Sequence, residues 1–350
     1  MVGAIEMVKK SKLYGLHEAL DWSKIEKHLI GLYQREISGA GGQIPYAPLS
    51  MFKAMLLGQW HELSDEELER SLQTRIDYMV FTGFELGEDF PDSSTLCRFR
   101  GRLEKNQKNQ VLLQEINRQL EALGLKIKTE RGAIIDATII PSAAHPKGKK
   151  PLEISINELN ELSDKHENII KKQEFNKKID EKETMSADKE ARWLMKGKRA
   201  YFGYRGYAVV DTEDGFIEHV TMKPANENET NQFQSVISDT LKIAKNITKI
   251  LADKGYTSKE NSEFLKKNGL ENQIMARAYK SKPLTEAEII RNKFISKTRY
   301  KVERCFGSLK RQWGISRARY FGVRKTLMQF TWAAIGYNLL KAHRILTRFN

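Results

Sequence analysis

Three carboxylates stand where an acid is either costly or conspicuous. Asp136 interrupts the apolar run GAIIDATII (Gly132 to Ile140), and Asp253 closes the run ITKILAD (Ile247 to Asp253). An ionised carboxylate buried in such a run has to be compensated. One compensation is local: a strand-end aspartate capping a turn, which the Asp253-Lys254-Gly255 sequence suits. The other is a shared divalent cation. Neighbouring strands lie about 4.8 Å apart, so acids at matching depth can hold one Mg²⁺ or bridge two. The third acid, Glu303, is the only Asp or Glu after Arg291 and lies in the stretch RYKVERCFGSLKRQWG. The seven histidines show no His-x-x-x-His or similar ligand spacing. The serines have no His/Asp arrangement for acyl transfer, so the carboxylates are the groups to follow.

The elements that carry these acids can be read from periodicity. At about 100° per residue, Val302, Phe306, Leu309 and Trp313 form one apolar helical stripe, with Arg299, Glu303 and Lys310 along one edge. Trp313 therefore reads as a core residue rather than a base-stacking one. Glu303 at the stripe's border can point at a site on a sheet. It can also pair with Arg299 at i,i+4, an interaction of only about 0.2–0.5 kcal/mol on an exposed helix. Both readings stand at this level. The run around Asp136 is almost continuously apolar and suits a strand covered on both faces. YFGYRGYAVV (Tyr201 to Val210) and FIEHVTM (Phe216 to Met222) read as an antiparallel hairpin. Its turn acids Asp211, Glu213 and Asp214 read as solvated. A helix (Asn231 to Lys245), the Asp253 strand, a helix (Ser258 to Gly269), a strand (Asn272 to Tyr279) and basic helices follow.

Before Lys126 the pattern is helical. Ile25, Ile30 and Leu32 mark one segment and Met51, Met55, Leu56 and Trp60 the next; Ser64 to Glu67 reads as a capping box, and Pro91-Asp92-Ser93 opens a further helix. That gives an all-helical N-terminal domain over residues 1–125, in which a helix-turn-helix reader is possible but no recognition helix stands out. Residues 126–350 form the second domain. It has a Lys/Glu-rich helical insertion at about 146–196, of no readable function, and a basic helical C-terminus.

The 350 residues carry a formal charge of +14 and 40% apolar residues, enough for a sizeable core. From Arg291 to Asn350 there are 15 Lys and Arg against one acid, so this segment holds the whole excess. Interleaved with Tyr300, Phe306, Trp313, Tyr320 and Phe321, that charge is the footprint expected of a phosphate-backbone binder, with a solvated basic face or an anionic-membrane patch as the alternatives. No apolar run reaches the roughly 20 residues of a membrane span. Two cysteines, Cys97 and Cys305, offer no disulfide framework. Cytoplasmic localisation is expected.

The combination of a strand aspartate, a later strand-end aspartate and a glutamate on a basic helix resembles a known family, the DDE transposases of bacterial insertion sequences, IS-five type. The stretches that carry the resemblance are FPDSSTLCRFRGRLEKN, IIDATIIPSA, SADKEARWLMKGKRAYFGYRGY, LADKGY and RYKVERCFGSLKRQWGISRARYFG, in the family's order from about Met51 to Leu346. The family's signature Tyr-x2-Arg-x3-Glu-x6-Lys falls on Arg299, Glu303 and Lys310, with Ser296 in the tyrosine's place. The resemblance implies an α+β, RNase H-like (retroviral-integrase-like) mixed-sheet catalytic domain beside the helical one. It implies that Asp136, Asp253 and Glu303 are catalytic metal ligands for Mg²⁺, with Mn²⁺ as substitute. DNA would be bound by Arg299, Lys310, Arg311, Lys254 and Arg304. The expected partners are double-stranded DNA, both the element's terminal inverted repeats and the target, and a second copy of the chain on paired ends in the bacterial nucleoid. The rivals are a non-catalytic DNA-binding derivative and another RNase H-like nuclease.

Overall fold

The computed structural model describes residues 8, 12–33, 44–127, 131–144, 146, 186–196, 199–279 and 283–349. Most of the expected insertion, residues 147–185, lies outside the described residues; its last residues do not, and they contribute a strand rather than helix.

Among the described residues seven helices precede the sheet: α1 (Lys12–Ala19), α2 (Trp22–Leu29), α3 (Pro48–Trp60), α4 (Asp65–Thr74), α5 (Ile76–Thr82), α6 (Ser93–Lys105) and α7 (Lys108–Ala122). The capping box forms: the Glu67 amide donates to Ser64 Oγ (3.2 Å) and the Ser64 amide to Glu67 Oε2 (2.8 Å). Asp92 caps α6 through the Thr95 amide at 2.6 Å; such caps contribute about 1 kcal/mol each. Ile30 departs from expectation. The helix ends at Leu29, Gly31 takes a left-handed turn (φ 79°), and Ile30 is thrown into solvent at 70% exposure. Gly has no Cβ to oppose that backbone.

The sheet is built on β1 (Arg131–Pro141), antiparallel to β3 (Arg199–Asp211), which is antiparallel to β4 (Ile217–Pro224). On its other side β1 is parallel to β5 (Ile247–Ala252), and β5 to β6 (Glu271–Ile274). The order β4-β3-β1-β5-β6, three antiparallel strands followed by two parallel to the first, is the RNase H-like arrangement. The added strand β2 (Arg192–Lys196) pairs with the start of β3, from Arg192 opposite Gly203 to Lys196 opposite Arg199. Alternate residues of β1 serve two cores, which explains its unbroken apolar run. Ile134 and Ile140 join the cluster formed with the N-terminal helices, and Ala133 and Ile135 join the one under α8 (Glu229–Ile243) and α9 (Lys259–Lys267).

Two expectations are corrected here. The last strand ends at Ile274 instead of Tyr279, because Asn292 takes both backbone groups of Ala276, accepting from its amide (2.8 Å) and donating to its carbonyl (3.0 Å). Asp211 is not solvated: it is buried and accepts from the amides of Glu213, Asp214, Gly215 and Phe216 at 2.5–3.0 Å, organising the β3–β4 turn.

Two 27-residue helices complete the chain, α10 (Glu286–Gln312) and α11 (Val323–Phe349). The α10 stripe is buried as expected at Val302, Phe306, Leu309 and Trp313. Trp313 packs against α11 at Gly336, where an added Cβ would stand 2.0 Å from its ring. The middle of α11 is buried between α3, α7 and β4. Trp332 meets the Phe52 ring at 5.1 Å and donates to Asn109 Oδ1 at 2.9 Å. The open edge of β4 is closed by amides from α7 and α11. Asn338 Oδ1 accepts from the Ile217 amide, Asn117 and Asn338 both donate to the Ile217 carbonyl, each at 2.9 Å, and Gln110 donates to the Val220 carbonyl at 2.6 Å. Among the described residues no helix is long and apolar enough to cross a membrane.

Candidate functional site

The parallel register sets the site. Ile134 lies opposite Leu251, so two residues on Asp136 and Asp253 stand at the same depth at the carboxyl ends of β1 and β5. Asp136 shares a strand face with Ile134 and Ile140 and is directed at α10. Its Oδ2 accepts from Arg299 Nη2 at 2.9 Å and its Oδ1 from the Ala137 amide at 2.8 Å. Asp253 Oδ1 lies 3.6 Å from Arg299 Nη1. The same oxygen accepts from the Lys254 amide at 2.7 Å, capping the turn Lys254–Tyr256. The capping role of Asp253 is therefore real, and it leaves the second carboxylate oxygen without a bond among the described residues. Burial pushes the Asp136 carboxyl above its usual range; Arg299 opposes the rise and Glu229 adds to it.

Arg299 is buried on α10 and joins the two aspartates. The pairing with Glu303 that helical spacing offered is not made. Glu303 sits exposed one turn along, and its carboxylate has no hydrogen bond or ion pair among the described residues. The structure thus brings Asp136 and Asp253 together through one guanidinium and leaves Glu303 outside that set. Among the described residues no three His, Cys, Asp or Glu side chains are gathered tightly enough to hold an ion as they stand.

The other expected DNA contacts are arranged differently from one another. Lys254, Arg304 and Arg311 are exposed; Arg304 lies 5.8 Å from the Tyr300 ring centre and Arg311 Nε donates to the Gly307 carbonyl. Lys310 is partly buried without a hydrogen bond or ion pair among the described residues. Burial and the neighbouring Lys196 of β2 both hold its ammonium below the usual lysine range. Arg299 alone is turned inward.

Behind β1, on the opposite face, lies a polar layer that the sequence did not disclose. Arg205 Nη1 meets Glu229 Oε1 at 2.8 Å. The Tyr207 and Tyr256 hydroxyls are buried with no hydrogen-bond partner among the described residues. Burial, with the Asp136 and Glu229 charges, drives the Tyr256 phenol well above its normal range. Glu229 opens α8 after its cap Asn228 and approaches the Asp253 turn, its Oε2 3.5 Å from where a Cβ on Gly255 would stand. The available signal was topological: β4 ends at the same edge of the sheet as β1 and β5, so an acid directly after β4 enters the site's field.

Comparison with known proteins shows the family. The family described as "Transposase DDE domain" matches residues 127–339, and "Transposase domain (DUF772)" matches residues 4–102. The "Transposase for insertion sequence element IS1106" of Neisseria meningitidis serogroup B is 36% identical over 245 residues, 70% of this chain and 76% of that one. Two solved structures are loosely similar. The piggyBac transposase synaptic complex with hairpin DNA has a TM-score of 0.44 at 10% identity, covering 98% of this chain and 78% of that one. The Mos1 mariner paired end complex with Mn has a TM-score of 0.22 at 12% identity, covering 93% and 85%. At these scores neither adds to what the strand order shows.

Proposed function

The chain belongs to the DDE transposases of bacterial insertion sequences, and from that premise we propose that it cleaves the phosphodiester at its element's ends and joins the freed 3′-hydroxyls to target DNA. The observation that carries this reading is the convergence of Asp136 and Asp253, at equal depth on parallel strands, upon α10, which presents Glu303 one turn beyond.

The donor set suits Mg²⁺, or Mn²⁺ in its place: all three side chains offer hard carboxylate oxygens, and both Glu303 and one Asp253 oxygen are without a partner among the described residues. A pair of such ions, when bound, stabilises charge on the entering and leaving oxygens of the phosphodiester. The protein's part is positional. β1 and β5 fix two carboxylates in register, and Glu303, exposed on α10 one turn beyond Arg299, would supply the third. Lys254, Lys310, Arg304 and Arg311 hold phosphates on either side of the acids, and Arg299 joins them when its guanidinium is released. Residues 1–125 form a helical unit that recognises the terminal inverted repeats, residues 126–350 the catalytic unit, and two copies act on paired ends in the bacterial cytoplasm.

The test uses Asp136→Asn, Asp253→Asn and Glu303→Gln separately. Each should bind an inverted-repeat duplex in Ca²⁺ as the wild type does, yet fail to nick it or transfer strands in Mg²⁺. Wild-type nicking by any of the three removes that residue from the assignment. Equal affinity for inverted-repeat and random duplexes removes the end-recognition claim.

A further inference from the structure

We propose that Arg299 is the resident cation of the aspartate pair: its guanidinium competes with a divalent ion for Asp136 and Asp253, so that metal loading turns the side chain outward to meet DNA phosphate. This rests on the metal-site reading above and adds to it a positioning residue that links metal loading to DNA binding.

The geometry is that of a charge held by electrostatics more than by complete hydrogen bonding. Arg299 is 8% exposed, on the packed face of α10. It bridges two carboxylates on separate strands with one nitrogen each, at 2.9 Å to Asp136 and 3.6 Å to Asp253, rather than clasping either with a two-point fork. Among the described residues Nη1 otherwise meets only the weak acceptor Met275 Sδ at 3.7 Å, and Nε is buried without a partner. A guanidinium has five donors, and a buried one prefers to use them. Here a single bond is of normal length. The same carboxylate oxygens are what a compact divalent ion takes, and a divalent ion and a guanidinium repel at that range. Arg299 has somewhere to go: beside it α10 exposes Tyr300, and about one turn along Glu303 and Arg304, to solvent. Phosphate there would give the displaced fork the two-point contact it lacks inside.

The test is metal binding by the full chain, read from the Mn²⁺ electron paramagnetic resonance signal with and without an inverted-repeat duplex. Without DNA, Arg299→Gln should bind Mn²⁺ about tenfold tighter or more, the effect of removing one close charge. Arg299→Lys, which keeps charge but cannot bridge, should fall between. A purely structural arginine predicts the reverse, because the aspartates would drift apart; unchanged or weaker Mn²⁺ binding in Arg299→Gln overturns the proposal. Adding duplex should tighten Mn²⁺ binding in the wild type more than in Arg299→Gln, since linkage is reciprocal. Equal tightening in both overturns the link to DNA. Asp136→Asn separates the two levels of argument: wild-type Mn²⁺ binding by that variant removes the metal site itself. Far-ultraviolet circular dichroism confirms that the variants compared are folded, and Arg299→Lys carries the test if Arg299→Gln is not.

Discussion

Replacing Lys310 by Met should make the protein more stable and worse at holding DNA. The ammonium of Lys310 is partly buried, is without an ion pair or hydrogen bond among the described residues, and has Lys196 of β2 as a like-charged neighbour. Methionine keeps an unbranched stem against the same neighbours while removing the poorly solvated charge. Relief of like-charge repulsion and desolvation should give about 0.5–1 kcal/mol. With an unfolding entropy of about 2.1 cal/mol/K per residue, a 350-residue chain shifts by roughly 1.4 °C per kcal/mol, so the expected rise in Tm is about 1 °C. DNA binding moves the other way. If Lys310 neutralises one phosphate, its loss lowers the log–log salt slope by about 0.9, and the wild-type advantage shrinks about 3.5-fold between about 50 and 200 mM salt. Differential scanning calorimetry and fluorescence anisotropy of a labelled duplex in Ca²⁺ give the two numbers. A lower Tm together with an unchanged salt slope would refute the argument that this lysine is held in place for a polyanion.

Three further expectations concern the scaffold. Gly336→Ala drives a Cβ into Trp313 at a contact no side chain tolerates, and urea unfolding should register a loss of about 2–3 kcal/mol; a neutral result would mean that α10 and α11 can separate freely. Asp211→Ala orphans four turn amides, so hydrogen exchange at residues 213–216 should accelerate well before global unfolding does. His219 is buried with both ring nitrogens unpartnered among the described residues, and burial holds its pKa down at about 4. A base with a depressed folded pKa takes up its proton more readily when unfolded, so stability should fall as pH drops from about 6.5 to about 4, by about 3 kcal/mol. His219→Leu should flatten that part of the stability–pH curve, and an unaltered curve would place the acid sensitivity elsewhere.

Much of the site was legible because burial makes certain residues expensive. An aspartate inside GAIIDATII has to be accounted for wherever the chain folds; Asp253, closing ITKILAD, escapes that cost with 42% of its side chain exposed, and it is the parallel register that puts it beside Asp136. Helical geometry put Glu303 at the border of the buried stripe, and the structure leaves its side chain exposed there. The partner of Arg299 did not. Local spacing offered Glu303 four residues away, while the structure chose Asp136, 163 residues away, where the gain from neutralising a poorly exposed carboxylate exceeds that of an exposed i,i+4 pair. The Arg205–Glu229 pair and the unpartnered tyrosines were hidden for the same reason, since they meet only after β3 and α8 are docked on opposite sides of a turn. The end of β6 depended on Asn292, a side chain on α10 that no strand pattern could anticipate.

The position of α11 sets an order of events during synthesis. This helix supplies Phe330, Trp332, Ala333, Ile335 and Leu339 to the core shared by α3, α7 and the sheet, and Asn338 to the edge of β4, yet the ribosome makes it long after α3 and α7. At roughly 5–20 residues per second, the first helices wait roughly 15–65 seconds for the segment that buries them. Until then the β4 edge and the apolar faces of α3 and α7 lack their cover, so a message broken before the α11 codons yields a chain without a finished core rather than a smaller working enzyme. Assembly of the site is thereby deferred until α11 has left the ribosome.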